Sequence, residues 1–115
     1  MSTKIDLAEF CRLIPKAEIH CHLFGTIRRQ TLAEMNRRAG SPLPAAELEG
    51  FYVRGDEPKG VLHIFRALDE TLIRSADDLF RITFEYLEDA HRHTVRYAEF
   101  FWDPTGTAGK SGIAF

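Results

Sequence analysis

Residues 14–26 read IPKAEIHCHLFGT, and this stretch decides the fold that we predict for the 115-residue sequence. Within it, residues 17–23 are short and alternating and are soon followed by a glycine, which is typical of a β-strand. Side chains two apart on a strand point to the same face. We therefore expect Glu18, His20 and His22 on one face.

The alternation places Ile19, Cys21 and Leu23 on the opposite face of this strand. Cys21 then faces away from the histidines, and we expect a packed thiol rather than a metal ligand. The only other cysteine, Cys11, falls in a predicted helix with no evident partner.

Apolar spacing and end signals predict the elements around this strand. We expect a helix over 7–13 capped by Asp6, a helix over 31–39, a helix over 61–73, a helix from a Ser75 cap to about His93, and a strand over 95–102. Strands separated by helices indicate parallel pairing and an α/β fold.

Two segments lack the apolar spacing of a regular helix or strand. Residues 41–60 carry three prolines and three glycines, and they predict a long loop, with room for a short helical turn over 45–48. Residues 105–115 are rich in Gly and Thr, and we expect an irregular tail. Gly109-Lys110-Ser111 resembles the end of a phosphate-binding loop, but Pro104 stands where that motif needs glycine, so we reject this reading.

His20 and His22 are the candidate metal ligands, because two imidazoles on one strand face can converge on one ion and neutral imidazole suits zinc. The spacing alone also allows two histidines that simply form hydrogen bonds. His91 and His93 have the same spacing at a predicted helix end, where residues two apart diverge. We expect that second pair to be solvated.

The quoted stretch closely resembles the opening signature of the adenosine deaminase family of the amidohydrolase superfamily. A second match covers residues 95–99, VRYAE, followed by Pro104. The resemblance extends over roughly residues 7–104. It implies that residues 1–115 are the N-terminal portion of a (β/α)₈ TIM barrel, an α/β fold that is incomplete in this chain, since such barrels take roughly 250 residues.

The resemblance also implies a chemistry. His20 and His22 would supply the first two ligands of a Zn²⁺ ion, while the other ligands and the proton-transfer residues are expected beyond Phe115. We therefore assign no catalytic residue within the chain and expect the isolated chain to be inactive. Glu18 is interpreted as a buried hydrogen-bond anchor, and Glu99 as an interior strand residue.

The same resemblance suggests hydrolytic deamination of adenosine or a related aminopurine, with release of ammonia, and substrate contacts from His22, Phe24 and Gly25. Phe24 stands where many family members carry Asp. A phenyl ring cannot accept a hydrogen bond from a sugar hydroxyl, so a different aminopurine or a modified nucleoside is an open alternative. Phe101 stands where the family often has Arg.

Composition and charge argue against a nucleic-acid partner and a membrane location. The formal net charge is −2, from 15 basic and 17 acidic residues, and no block of Lys or Arg suggests a nucleic-acid partner. No segment approaches the roughly 20 apolar residues of a membrane helix. The absence of a signal-peptide pattern favours a cytoplasmic protein. The oligomeric state stays open.

Two other interpretations compete with the deaminase. One is a truncated, non-catalytic remnant that acts as a binding or self-association module through exposed strand edges. The other is a small independent metal-binding domain, which would need more ligands than two histidines. Leu62, Phe65 and Leu68 could line a substrate lid, but an amphipathic stripe favours a core role.

Overall fold

The computed structural model describes residues 6–53 and 60–113. Within that part of the chain, no helix has both the length and the apolar character needed to cross a bilayer. The elements are α1 (Leu7–Leu13), β1 (Lys16–His22), a 3₁₀ turn (Leu23–Thr26), α2 (Arg29–Arg38), α3 (Ala45–Phe51), α4 (Val61–Ala67), a π-helical segment (Leu68–Leu72), α5 (Ala76–Arg92), β2 (Val95–Phe101) and α6 (Pro104–Ser111).

β1 and β2 form a parallel pair, in which Cys21 lies opposite Phe100 and His22 opposite Phe101. The crossover between them contains α2 to α5, so the predicted α/β arrangement with parallel strands is confirmed. Helix α5 packs on one face of the sheet, where the Tyr86 and Phe100 rings lie 5.5 Å apart. The described residues hold two strands, and a closed barrel is not observed in them.

A hydrophobic core lies among the helices and reaches the sheet through the 3₁₀ turn. Leu23 and Phe24, which directly follow β1, belong to this core. Its most buried members, each at most 1% exposed, come from α2, α4, the π-helical segment with the residue that follows it, and α5: Leu32, Met35, Ile64, Leu68, Leu72, Ile73 and Ile82. The turn after β1 is therefore fixed by apolar packing.

Local signals set several helix ends as predicted. The Asp6 carboxylate accepts a hydrogen bond from the Ala8 amide at 3.1 Å, and the Ser75 side chain accepts one from the Asp78 amide. Helix α2 is followed by Gly40, whose φ of +88° lies in the left-handed region that favours glycine.

The single helix predicted over 61–73 is wrong in one respect, because its last turn is π-helical. The Ile73 amide donates to the Leu68 carbonyl at 3.0 Å, a bond that spans five residues. Such wide turns occur often at functional sites. This one turns Asp69 towards the space beside β2 and α6, where the Thr107 hydroxyl donates to it at 2.7 Å.

The irregular tail predicted over 105–115 is also wrong. Helix α6 occupies Pro104–Ser111, with the Asp103 side chain accepting from the Thr105 amide at 2.9 Å and Gly112 in the left-handed region at its end. Proline at the first helical position and glycine after the last are recognised end signals. The helix packs on the π-helical segment, a contact that composition could not reveal.

The long loop predicted over 41–60 contains a longer helix than expected, since α3 runs from Ala45 to Phe51 rather than to Leu48. Its first residues are held by Asn36, whose amide side chain donates to the Leu43 carbonyl at 3.0 Å and accepts from the Leu43 amide at 2.9 Å. The remainder, residues 54–59, lies outside the described residues.

Candidate active site

The sheet carries His20 and His22 on the face turned away from α5. Their ring centroids lie 5.7 Å apart, and each ring lies within 6 Å of Phe101 on β2, at 5.6 and 5.8 Å. Two imidazoles that bind one tetrahedral zinc ion have centroids roughly 5 Å apart, since each nitrogen lies about 2.0–2.1 Å from the metal. The pair is thus close to the spacing that shared ligation needs, and the donors suit zinc.

Two ligands do not complete a zinc site, which takes four. In residues 6–53 and 60–113, no group of three or more His, Cys, Asp or Glu side chains is arranged to hold a metal ion. The described residues therefore supply two of the four ligands that a zinc site takes. This number does not favour a small independent metal-binding domain.

The comparison pair, His91 and His93, behaves differently. Both side chains are exposed at the end of α5, and His93 Nδ1 lies 2.7 Å from the Asp89 carbonyl oxygen. A ring engaged with its own helix end is not directed at a shared ion. The contrast shows that the backbone, and not the i, i+2 spacing, makes His20 and His22 neighbours.

Strand β1 contains a bulge that the sequence analysis did not foresee. Glu18 pairs with Ala98 and Cys21 with Phe100, so Ile19 and His20 together oppose a single residue of β2. An extra residue of this kind reverses the side-chain alternation. The expectation that Glu18 shares a face with the two histidines is therefore wrong. Ile19, which alternation places on the face of Cys21, is 66% exposed.

Behind the histidines, Glu18, Cys21 and Tyr86 form a polar group between the sheet and α5. The Tyr86 hydroxyl donates to Glu18 Oε2 at 3.0 Å, and the Cys21 thiol interacts with both side chains. Glu18 is therefore hydrogen-bonded, as predicted, although it is only half-buried. Cys21 is buried, as expected of a packed thiol.

The surroundings of this group raise two pKa values. Burial raises the pKa of the Cys21 thiol, and the negative charge of Glu18 adds to the effect. Burial also raises the pKa of Tyr86 well above its usual range, and the hydrogen bond to Glu18 adds to it because that bond favours the protonated phenol. Both groups therefore stay neutral near pH 7 and act as hydrogen-bonding groups.

A cavity of about 530 Å³ opens in front of His22, at the carboxyl end of both strands. Its lining is largely aromatic with two carboxylates, and consists of His22, Phe24, Phe65, Asp69, Phe100, Phe101, Trp102 and Asp103. In parallel α/β folds, this is the end of the sheet at which ligands bind. Pockets of this size and largely apolar lining are typical of small-molecule sites.

The structure brings the predicted substrate residues to this cavity. His22 and Phe24 line it, and the Phe24 ring makes an edge-on contact with Phe65 at 5.9 Å. Gly25 lies beside them, where an added Cβ would stand 3.8 Å from Phe65 Cζ. That distance is ordinary contact, so Gly25 leaves space there without being sterically obligatory.

Sequence reasoning predicted two of the eight cavity residues, His22 and Phe24, as substrate contacts and did not predict the other six. Phe65, for which a core role was favoured over a substrate lid, is half-buried against the core, and its ring also lies 6.3 Å from that of His22. Trp102 and Asp103 directly follow β2, and their position at a strand's carboxyl end was a usable signal. Asp69 had no signal, because the π-helical turn that directs it was not predictable from apolar spacing.

Comparison with known proteins gives a consistent picture. The family model described as adenosine deaminase matches residues 15–115. An adenosine deaminase of Clostridium kluyveri is 30% identical over 106 residues, which cover 87% of this chain and 30% of that protein. An adenine deaminase of Chlorobium phaeobacteroides is 34% identical over 110 residues, with 93% and 32% covered.

A solved structure is also similar. An amidohydrolase from Burkholderia ambifaria, crystallised with bound zinc, superposes with a TM-score of 0.86 at 50% sequence identity, over 98% of this chain and 32% of that one. The chain thus spans about a third of the length of the proteins it matches.

Proposed function

The chain belongs to the adenosine deaminase family, and from this premise we propose that it supplies the two-histidine strand and one wall of the substrate cavity of a zinc-dependent aminopurine deaminase. The observation that carries the proposal is the pair of imidazoles 5.7 Å apart on one sheet face, with His22 in the cavity wall. Hydrolytic deamination replaces an amino group by oxygen from water and releases ammonia.

His20 and His22 would hold the metal through neutral imidazole nitrogens. When bound, zinc activates water as a nucleophile at neutral pH. Among the described residues, no further His, Cys, Asp or Glu completes a group of three that could hold a metal ion. We therefore propose that residues 1–115 form the first part of a (β/α)₈ barrel and release no ammonia by themselves.

The cavity wall indicates the kind of substrate. Phe24 and Phe65 meet edge to face, and the rings of Phe101 and Trp102 lie on the side of β2. Aromatic side chains of this kind stack on flat heterocycles and exclude water. Phe24 is 7% exposed and offers no acceptor for a hydroxyl. We propose an aminopurine whose sugar, if present, is not held through position 24.

Metal binding is tested on the full chain by NMR, with Zn²⁺ as the probe. The chain has five histidines, and the three other than His20 and His22 provide internal controls. We expect the ring signals of His20 and His22 to shift together, while those of His91 and His93 stay in place. A His22→Ala variant should abolish the shift of His20. Equal shifts at His91, or no shift at His20 and His22, would refute the metal assignment.

The substrate class is tested in a chimera in which this chain replaces the matching third of the Burkholderia ambifaria amidohydrolase. We expect the chimera to retain zinc and to deaminate an aminopurine. Phe24→Asp should raise the ratio of kcat/KM for adenosine to that for adenine by about tenfold or more, because it supplies an acceptor for a hydroxyl. Phe24→Leu, which supplies none, is the matched control and should not raise it. A zinc-loaded chimera without activity on any aminopurine contradicts the substrate class.

Exposed apolar side chains favour a second candidate, a non-catalytic self-association module. Phe80 and Phe84 stack on the outer face of α5 and are 69% and 52% exposed, and Phe101 on the open sheet face is 52% exposed. Large exposed apolar patches mark interaction surfaces. A concentration-dependent mass in sedimentation, lost in Phe80→Ser, would support this module. A monomer at all concentrations would exclude it.

A further inference from the structure

The bulge in β1 has a fixed position, and Tyr86 touches the residues on both sides of it. Glu18 precedes the two bulged residues and accepts the hydrogen bond of the Tyr86 hydroxyl at 3.0 Å. Cys21 follows them, is 8% exposed, and interacts with the same hydroxyl. The Tyr86 ring is itself held by an edge-on contact with Phe100 at 5.5 Å.

The bulge determines which side chains of β1 face the cavity side of the sheet. In a regular strand, Glu18, His20 and His22 would all face the same way. With Glu18 held against α5, only the extra residue lets both histidines face the cavity side. Burial of one strand face is what usually fixes strand register, and Cys21 is the one buried residue of β1. The contacts of Glu18 and Cys21 with Tyr86 therefore add a restraint that little apolar burial supplies.

We propose that Tyr86 is a positioning residue for the histidine pair. Its hydroxyl holds Glu18 on the α5 side and, together with Cys21, fixes the bulge that places both histidines on the cavity side. The inference rests on the proposed function, since it assigns a role towards the same two metal ligands. Tyr86 lies behind the sheet, so it acts through the strand.

The test uses the full chain and Tyr86→Phe, which removes the hydroxyl and keeps the ring packed on Phe100. We expect the affinity for Zn²⁺, read from the NMR signals of His20 and His22, to fall by about tenfold, the lower end of the effect of residues that orient metal ligands. Glu18→Gln should stay close to the unmodified chain, because the amide oxygen still accepts from Tyr86. Glu18→Leu should behave like Tyr86→Phe.

Tyr52→Phe is the matched control. It removes another tyrosine hydroxyl, which donates at 2.8 Å to the carbonyl of Ile27, a residue outside β1. We expect a similar loss of unfolding stability with unchanged zinc affinity. If Tyr52→Phe weakened zinc binding as much as Tyr86→Phe, the effect would be general loosening and the inference would be wrong.

A readout without metal separates this inference from the proposed function. In the unmodified chain, nuclear Overhauser contacts should join the rings of His20 and Phe101, whose centroids are 5.6 Å apart. Tyr86→Phe should weaken them and speed amide exchange at Ile19 and His20. Unchanged contacts and exchange overturn the positioning role even if zinc binds. Absent zinc binding with altered contacts overturns the deaminase metal site alone.

Discussion

Gly106 in α6 gives the sharpest test of how the cavity wall is held. A Cβ at this position would stand 2.8 Å from Asp69 Oδ2 and 2.9 Å from Asp69 Cγ, distances at which something must move. Asp69 cannot move freely, because its other oxygen accepts from the buried Thr107 hydroxyl at 2.7 Å. Gly109, in the same helix, has nothing within 4 Å of its added Cβ.

We therefore expect substitution by alanine to change the free energy of unfolding in opposite directions at the two glycines. Alanine in place of glycine stabilises a helix interior by up to about 1 kcal/mol. Gly109→Ala should gain close to this value. Gly106→Ala should gain it too, but should lose the Thr107–Asp69 hydrogen bond, and a bond to a charged acceptor contributes about 1.5–3 kcal/mol. The net change is a destabilisation of about 1 kcal/mol.

Urea unfolding measures both variants. The only tryptophan of the chain, Trp102, lines the cavity beside Asp69 and reports on it directly by fluorescence. In a Thr107→Val background Asp69 is free to turn away, so Gly106→Ala should cost less there. If Gly106→Ala stabilises the chain as much as Gly109→Ala, the close packing of α6 on Asp69 is refuted.

Two further predictions concern buried ionisable groups. Burial alone would raise the pKa of Asp78, but hydrogen bonds from the Arg74 amide and the Arg38 guanidinium outweigh it and lower that pKa. Its stabilisation is therefore present above about pH 3.9, the ordinary value, and is lost as pH falls through the lowered pKa. Asp78→Asn should cost about 1.5–3 kcal/mol at pH 7 in urea unfolding, and a cost that did not shrink in acid would contradict this. At pH 8, iodoacetamide should alkylate exposed Cys11 much faster than buried Cys21, whose pKa is raised; equal rates by mass spectrometry would exclude a buried thiol.

Much of the fold could be predicted from local signals. The caps at Asp6 and Ser75, the glycine after α2 and the apolar stripes located the first helices and α5 within a few residues. Parallel pairing followed from helices between two strands. These features depend on residues close together in the chain, so a single sequence contains them.

Features that depend on distant neighbours were missed. Helix α6 has Gly- and Thr-rich composition, and it packs on the π-helical segment through a Thr107–Asp69 hydrogen bond and a Lys110–Glu70 ion pair, which join residues 38 and 40 positions apart. The bulge in β1 lies beside Glu18, which accepts a hydrogen bond from Tyr86, 68 residues away. The apolar periodicity of a helix or a strand shows neither the contact of α6 with the π-helical segment nor that of Tyr86 with Glu18.

The sequence by itself determined that His20 and His22 lie on one strand face, because alternation is a local property of extended backbone. Only the tertiary structure decided that Glu18 faces the other way, and that Phe65, Asp69 and Trp102 close a cavity around His22. The physical reason is that a bulge and a cavity wall are set by side chains packing across the sheet, which lie far apart along the chain.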